Sequence, residues 1–196
     1  PDNPFVNFVK GDFHYDDSFI LLDKDKKELA IKSAEKALIH FKKVVENSQN
    51  NKDLIIKRIY PLGITYTATA LLGEAKFELY FVYKEIKDRK NAKKYLEEAL
   101  SDYTTAISMA PSQEKAVEIE LDRDFDLITP SDIYTARGNI YSWMNNKEKK
   151  ACSDWKVAKG YGDKDAQKNY TEYRCRNNSQ KQLKRLLHAP HTYSQI

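Results

Sequence analysis

A chain of 196 residues can bury one substantial core or build one short repeat array. Its 6 Gly and 6 Pro are too few for the corners of a turn-rich β sandwich, and no run of about 18 apolar residues offers a membrane span. The net charge of +4 is local: Arg176, Lys181, Lys184 and Arg185 lie in an acid-free stretch, residues 176–196, and account for the whole excess. The body is therefore neutral, and four tail charges attract phosphate only weakly at physiological salt.

Residues 1–25 combine turn signals with short apolar pieces, Phe5-Val6, Phe8-Val9 and Phe19-Ile20-Leu21-Leu22. They read as an irregular arm with room for one helical turn. From about Lys26 to Glu46, Ala30, Ala34, Ala37, Phe41 and Val44 follow the helical interval and predict an amphipathic helix. A short helix is expected over 53–59, ended by Pro61-Leu62-Gly63. Ile64 to about Ile86 is the most apolar stretch, with a stripe of Ile64, Ala68, Leu71, Leu72, Ala75, Leu79, Val82, Tyr83 and Ile86. It predicts a central helix with neighbours on more than one side.

Asp88 or Asn91 starts the next helix, carrying Ala92, Tyr95, Leu96, Ala99, Tyr103, Ala106 and Ala110 inward until Pro111. Residues 112–130 read as an acidic connecting excursion. Ser131 or Asp132 then caps a helix to about Met144, with Ile133, Ile140, Tyr141 and Met144 inward. Glu148–Lys159 forms its partner, Gly160-Tyr161-Gly162 makes a corner, and Asp163 starts a final helix with Ala166, Tyr170 and Tyr173.

One pattern recurs within these helices: Ala37-Phe41-Val44, Ala99-Tyr103-Ala106 and Ala151-Trp155-Ala158. Spacings of four and seven place each set on one face, where small residues admit a neighbouring helix and the aromatic fills the space beside it. The last two copies also share Ser-Asp, as Ser101-Asp102 and Ser153-Asp154.

Residues 131–175, with Gly138 and Tyr141 on one helix and Ala151, Trp155 and Ala158 on the next, resemble a tetratricopeptide repeat (TPR) unit followed by a cap. Leu72-Gly73, Ala99-x3-Tyr103 and Pro111 resemble an earlier unit, and AlaArgGlyAsnIleTyr with AlaCysSerAspTrp is similar to bacterial members. The resemblance implies an all-α fold of right-handed stacked helical hairpins over residues 26–175, closed by a C-terminal capping helix. The alanines at 37, 99 and 151 are 62 and then 52 residues apart, against about 34 in the family. Lys76 stands where an aromatic is expected, and the helix around Ala37 has no recognisable helix before it. The expectation is two lengthened hairpins plus a divergent N-terminal helix.

Catalytic chemistry needs converging groups, and the sequence offers no such set. His40 borders the Phe41 stripe, His188 and His191 flank Pro190, and no phosphate loop or nucleophile elbow occurs. Asp122, Asp124 and Asp126 resemble the start of a calcium loop, but Leu127 and Ile133 replace the required Gly and Glu. No catalysis, metal or cofactor is expected. Cys152 and Cys175 lie on antiparallel helices with an axial mismatch of about 7.5 Å, so a disulfide requires the cap to slide or to unwind near Cys175. A bond there would point to an exported protein; its absence would leave Cys152 as a small core residue.

By the TPR resemblance, first helices line a groove for an extended peptide or a partner helix. The positions so implied are Asp132, Thr135, Asn139, Ser142 and Trp143, with Glu74, Phe77 and Glu78 on the earlier inner helix. Asn139 follows Gly138, where the family often places an Asn that bonds a ligand's backbone. The basic set of the carboxylate clamp is not recognisable. A non-catalytic adaptor for a protein or peptide partner leads. A structural subunit or homo-oligomer is the first rival, and weak nucleic-acid binding through the tail is the second.

Overall fold

The computed structural model describes residues 3–47, 63–112, 114, 128–173 and 175. The described residues form seven helices and no strand: α1 (Pro4–Asp23), α2 (Lys27–Asn47), α3 (Ile64–Glu85), α4 (Arg89–Met109), α5 (Pro130–Trp143), α6 (Glu148–Gly160) and α7 (Lys164–Glu172). The expected helix over 53–59, the calcium-like Asp122–Asp126 stretch and the basic tail all lie outside the described residues. Helices pack as chain neighbours. α1 lies on α2, α3 on α4 and α5 on α6, while α2–α3, α4–α5 and α6–α7 join one pair to the next.

The expectation of an irregular arm at the N-terminus is corrected, because residues 4–23 are a 20-residue helix. Asn3 caps it, its side chain accepting from the Phe5 amide at 2.8 Å, and Pro4 sits in the first turn where a missing N–H costs nothing. Apolar residues lie on both sides of α1, so its stripe is blurred. Gly11, which resembles a breaker in the sequence, has a packing reason.

That reason recurs in all three helix pairs. A Cβ added at Gly11 would meet the Phe41 ring at 2.7 Å, one at Gly73 the Tyr103 ring at 2.9 Å, and one at Gly138 the Trp155 indole at 2.6 Å. Each first helix thus gives up a side chain so that the aromatic of its second helix can lie flush on its backbone. Phe41, Tyr103 and Trp155 are almost wholly buried, as are Ala37, Ala99 and Ala151 one turn earlier. The helix around Ala37 therefore does have a preceding partner.

The shared Ser-Asp is explained in the same way. Asp154 takes a bidentate pair from Arg137 of α5, Nε to Oδ2 at 2.7 Å and Nη2 to Oδ1 at 2.9 Å. Asp102 takes Lys76 of α3 at 2.6 Å, and Glu98 reaches the same ammonium at 3.3 Å. Lys76 is thus a buried cation held by α4, where the family resemblance leads one to expect an aromatic. In the first pair the corresponding position is His40, whose Nδ1 lies 3.1 Å from Asn7 Oδ1.

The turns also share a geometry. Asp25, Lys87 and Asn146 each take a left-handed φ between α1 and α2, α3 and α4, and α5 and α6, and Gly162 does so before α7. Asp88 and Asp163 cap the following helices through Asn91 N and Ala166 N. α5 begins earlier than expected. Thr129 is its cap and Asp132 closes a capping box, with Asp132 Oδ2 accepting from Thr129 N at 2.8 Å. The Cys152–Cys175 disulfide is formed with Cα atoms 5.5 Å apart. α7 ends at Glu172, so Cys175 lies beyond the last residue of that helix.

Candidate functional site

The first helices of successive pairs meet through long side chains. Between α3 and α5, Trp143 stacks on Phe77 and Tyr80 at 5.1 and 5.7 Å and meets Phe81 edge-on at 5.1 Å. Spacings of three and four on α3 put Phe77, Tyr80 and Phe81 on adjoining faces of one turn. The cluster is not sealed: Trp143 is 45% and Phe81 39% exposed. The Lys84 ammonium lies 5.5 Å from the Tyr80 ring, so these rings already attract one cation.

Between α1 and α3, the Tyr15 hydroxyl donates to Glu74 Oε2 at 3.4 Å. Glu74 and Glu78 occupy successive turns of α3. Burial pushes the Glu74 carboxyl up to about 7, partly offset by the Tyr15 bond, with Asp132 of α5 adding to the rise. Burial followed by repulsion from Glu74 pushes Glu78 up to about 8. Glu78 Oε2 is buried without a hydrogen-bond partner among the described residues.

Glu78 and Phe81 also line a recess of about 380 Å³ with Leu22, Val82, Asp23, Asp25, Glu85 and Lys27. Lys27 is held at 3.2 Å by both Asp25 and Glu85. Phe81 thus joins the two features, packing on Trp143 in the ring cluster and sharing the recess with Glu78, so this face is apolar at Trp143 and Phe81 and acidic at Glu78.

Of the residues implied by resemblance, Phe77 and Trp143 come together, and so do Glu74 and Glu78. Asn139 is used differently. Its Oδ1 accepts from Trp155 Nε1 at 3.0 Å and from Asn169 Nδ2 at 2.9 Å, tying α5 to α6 and α7. Ser142 donates to the Asn139 carbonyl at 2.7 Å, and its own carbonyl accepts from Tyr173 at 3.3 Å. These two residues line a second recess of about 410 Å³ with Trp143, Trp155, Asn169, Glu172 and Tyr173. Asp132 serves the α5 capping box, and Thr135 is buried with its hydroxyl unpaired among the described residues.

Tyr15 is missed in the sequence because the period of α1 is hidden, and Phe81 because it falls outside the apolar stripe of α3. The four-residue step from Phe77 to Phe81 was the available signal for the latter. Comparison adds no relative: no family model, no curated protein and no solved structure matches this chain.

Proposed function

We propose that this chain is a non-catalytic adaptor whose helix pairs stack in a TPR-like array and whose first helices, α1, α3 and α5, form a groove for a peptide or helix of a partner. The observation that carries this reading is the half-open aromatic cluster between α3 and α5. Desolvated aromatic anchors dominate protein interfaces, and four rings sharing one edge of solvent have a use there that they lack in a sealed core. The repeated glycine–aromatic contact supports the array, since it gives three successive pairs one packing rule.

The test is peptide selection against the wild-type chain and a Phe81→Ala, Trp143→Ala variant. The reading expects peptides whose binding is lost in the variant while helicity is retained. Peptides that bind both equally would place the binding surface elsewhere.

A structural-subunit reading has its own observation. Val6, Val9, Phe13 and Ile20 are all exposed on α1, Phe13 at 67%, and their spacing of three, four and seven makes one stripe. If that stripe joins copies, sedimentation should show mass rising with concentration, and Phe13→Glu should return the chain to monomer. A monomer at every concentration would remove this reading.

A further inference from the structure

The surface described above has a polarity that specifies its occupant. Its apolar end, Trp143 and Phe81, suits the stem of a long side chain, and its acidic end suits a cation. The cations of α3 and α5 are largely committed: Lys76 to Asp102 and Glu98, Arg137 to Asp154, and Lys84 over Tyr80. Lys27 in the recess is divided between Asp25 and Glu85. Glu78 has no such cation: its Oε2 is buried and unbonded among the described residues, and it shares the recess with the part-exposed Phe81. A buried carboxyl oxygen without a hydrogen-bond partner is costly unless something arrives to meet it.

Resting on the partner-binding reading, we infer that the segment received by this face presents a lysine or arginine. Its stem lies over Phe81 and Trp143, and its cation meets Glu78. Charge complementarity and cation–π attraction act together there, and both strengthen as the partner excludes water. A neutral or acidic segment would leave Glu78 buried and unmatched.

The electrostatics give this docking a pH signature. Around Glu78 lie Glu74 and Glu85 on its own helix, Tyr15 and Asp23 on α1, Asp25 at the α1–α2 turn, Lys27 on α2 and Tyr103 on α4; Asp132 on α5 acts on Glu74. With its carboxyl pushed up to about 8, Glu78 keeps its proton near neutrality, and an arriving cation displaces it. The incoming lysine or arginine stays charged throughout. Binding therefore tightens as pH rises through about 8 and releases a proton.

The experiment selects random dodecapeptides, displayed on phage, against the full chain. The best binder is synthesised with its basic residue intact or replaced by norleucine, and titrated against wild type, Glu78→Gln and Trp143→Ala on both sides of pH 8. The selected peptides are expected to share a lysine or arginine. Norleucine replacement and Glu78→Gln should each weaken binding by about tenfold or more, and Glu78→Gln should flatten the pH dependence. Binders that need Trp143 but carry no basic residue, or that ignore Glu78→Gln, overturn the inference and leave the partner-binding reading intact. Binders that ignore Trp143, or no binders at all, overturn both.

Discussion

Gly11, Gly73 and Gly138 show how a residue with no side chain can set the spacing of two helices. In an exposed helix interior, alanine in place of glycine would gain about 1 kcal/mol from propensity. Here the added methyl would lie 2.9 Å from the Tyr103 ring at Gly73 and 2.6 Å from the indole at Gly138. Overpacking of that kind costs about 1–3 kcal/mol and reverses the sign. Gly73→Ala should therefore lower the unfolding free energy in urea titrations, whereas a gain in stability would show that the ring can give way.

The aspartate before the aromatic is the second residue-scale device. Arg137 and Asp154 are 15% and 7% exposed, so removing one partner strands the other away from water. Asp154→Ala should cost about 3 kcal/mol, the usual penalty for breaking a buried pair. A loss under about 1 kcal/mol would place the pair with ordinary surface bridges.

At the scale of elements, α7 shows what a short cap needs. It has nine residues and buries only Ala166 wholly, too little to hold a helix of that length alone. Its anchors are the Asn169–Asn139 bond, the Tyr173 ring edge-on to Trp155 at 5.3 Å, and the disulfide. The bond closes a loop with a sequence separation of 23 residues, for which chain entropy gives about 3 kcal/mol. Reduction should lower Tm and raise amide exchange in α7 before α3 or α4. Exchange rising equally everywhere would mean that the cap and the core unfold as one.

Much of this element structure is legible in the sequence. The stripe of α4 names all of its buried residues, whereas α2 also buries Ser33 and Leu38, α3 also buries Tyr66, Thr69, Ala70, Gly73 and Lys76 on a second face, and Ile86, expected inward, is 47% exposed. Asp88 and Asp163 announce the starts of their helices. What escaped has a physical pattern. α1 carries apolar residues on two faces and a glycine in its middle, so its period is hidden, although Asn3-Pro4 marks its start. The roles of Lys76 and Asn139 depend on what lies across from them in space, which helical spacing does not encode. The candidate face was half visible for the same reason: Phe77, Trp143, Glu74 and Glu78 were named in sequence, whereas Tyr15 waited on the recognition of α1.

For the whole molecule, the described core is three linked apolar clusters, with α3 contributing to the first two. No helix among the described residues is long and apolar enough to cross a membrane. The buried carboxyls of α3 make stability depend on pH in a definite direction. Glu74 and Glu78 rise from an ordinary 4.5 to about 7 and about 8, so between those values the folded chain holds protons that the unfolded chain has lost. Stability should be greatest below about pH 4.5 as far as these two groups decide it, and fall as pH rises to about 8. Asp102, raised by burial against the pull of Lys76, acts in the same direction from a lower start. Asp88, lowered by its capping bonds to Asn91, acts oppositely and only below its ordinary 3.8. Urea midpoints across this range should therefore fall with pH in wild type, and less steeply in Glu78→Gln; an equal slope in both would remove Glu78 from the account.

The partner face is tested most directly by Trp143 itself. The chain has 2 tryptophans, and Trp155→Phe leaves Trp143, exposed among Phe77, Tyr80 and Phe81, as the single reporter. Titrating that variant with the selected peptide should shift Trp143 emission to the blue, saturating at the Kd measured independently by calorimetry. Binding seen by calorimetry with no change in Trp143 emission would contradict the claim that this face receives the partner.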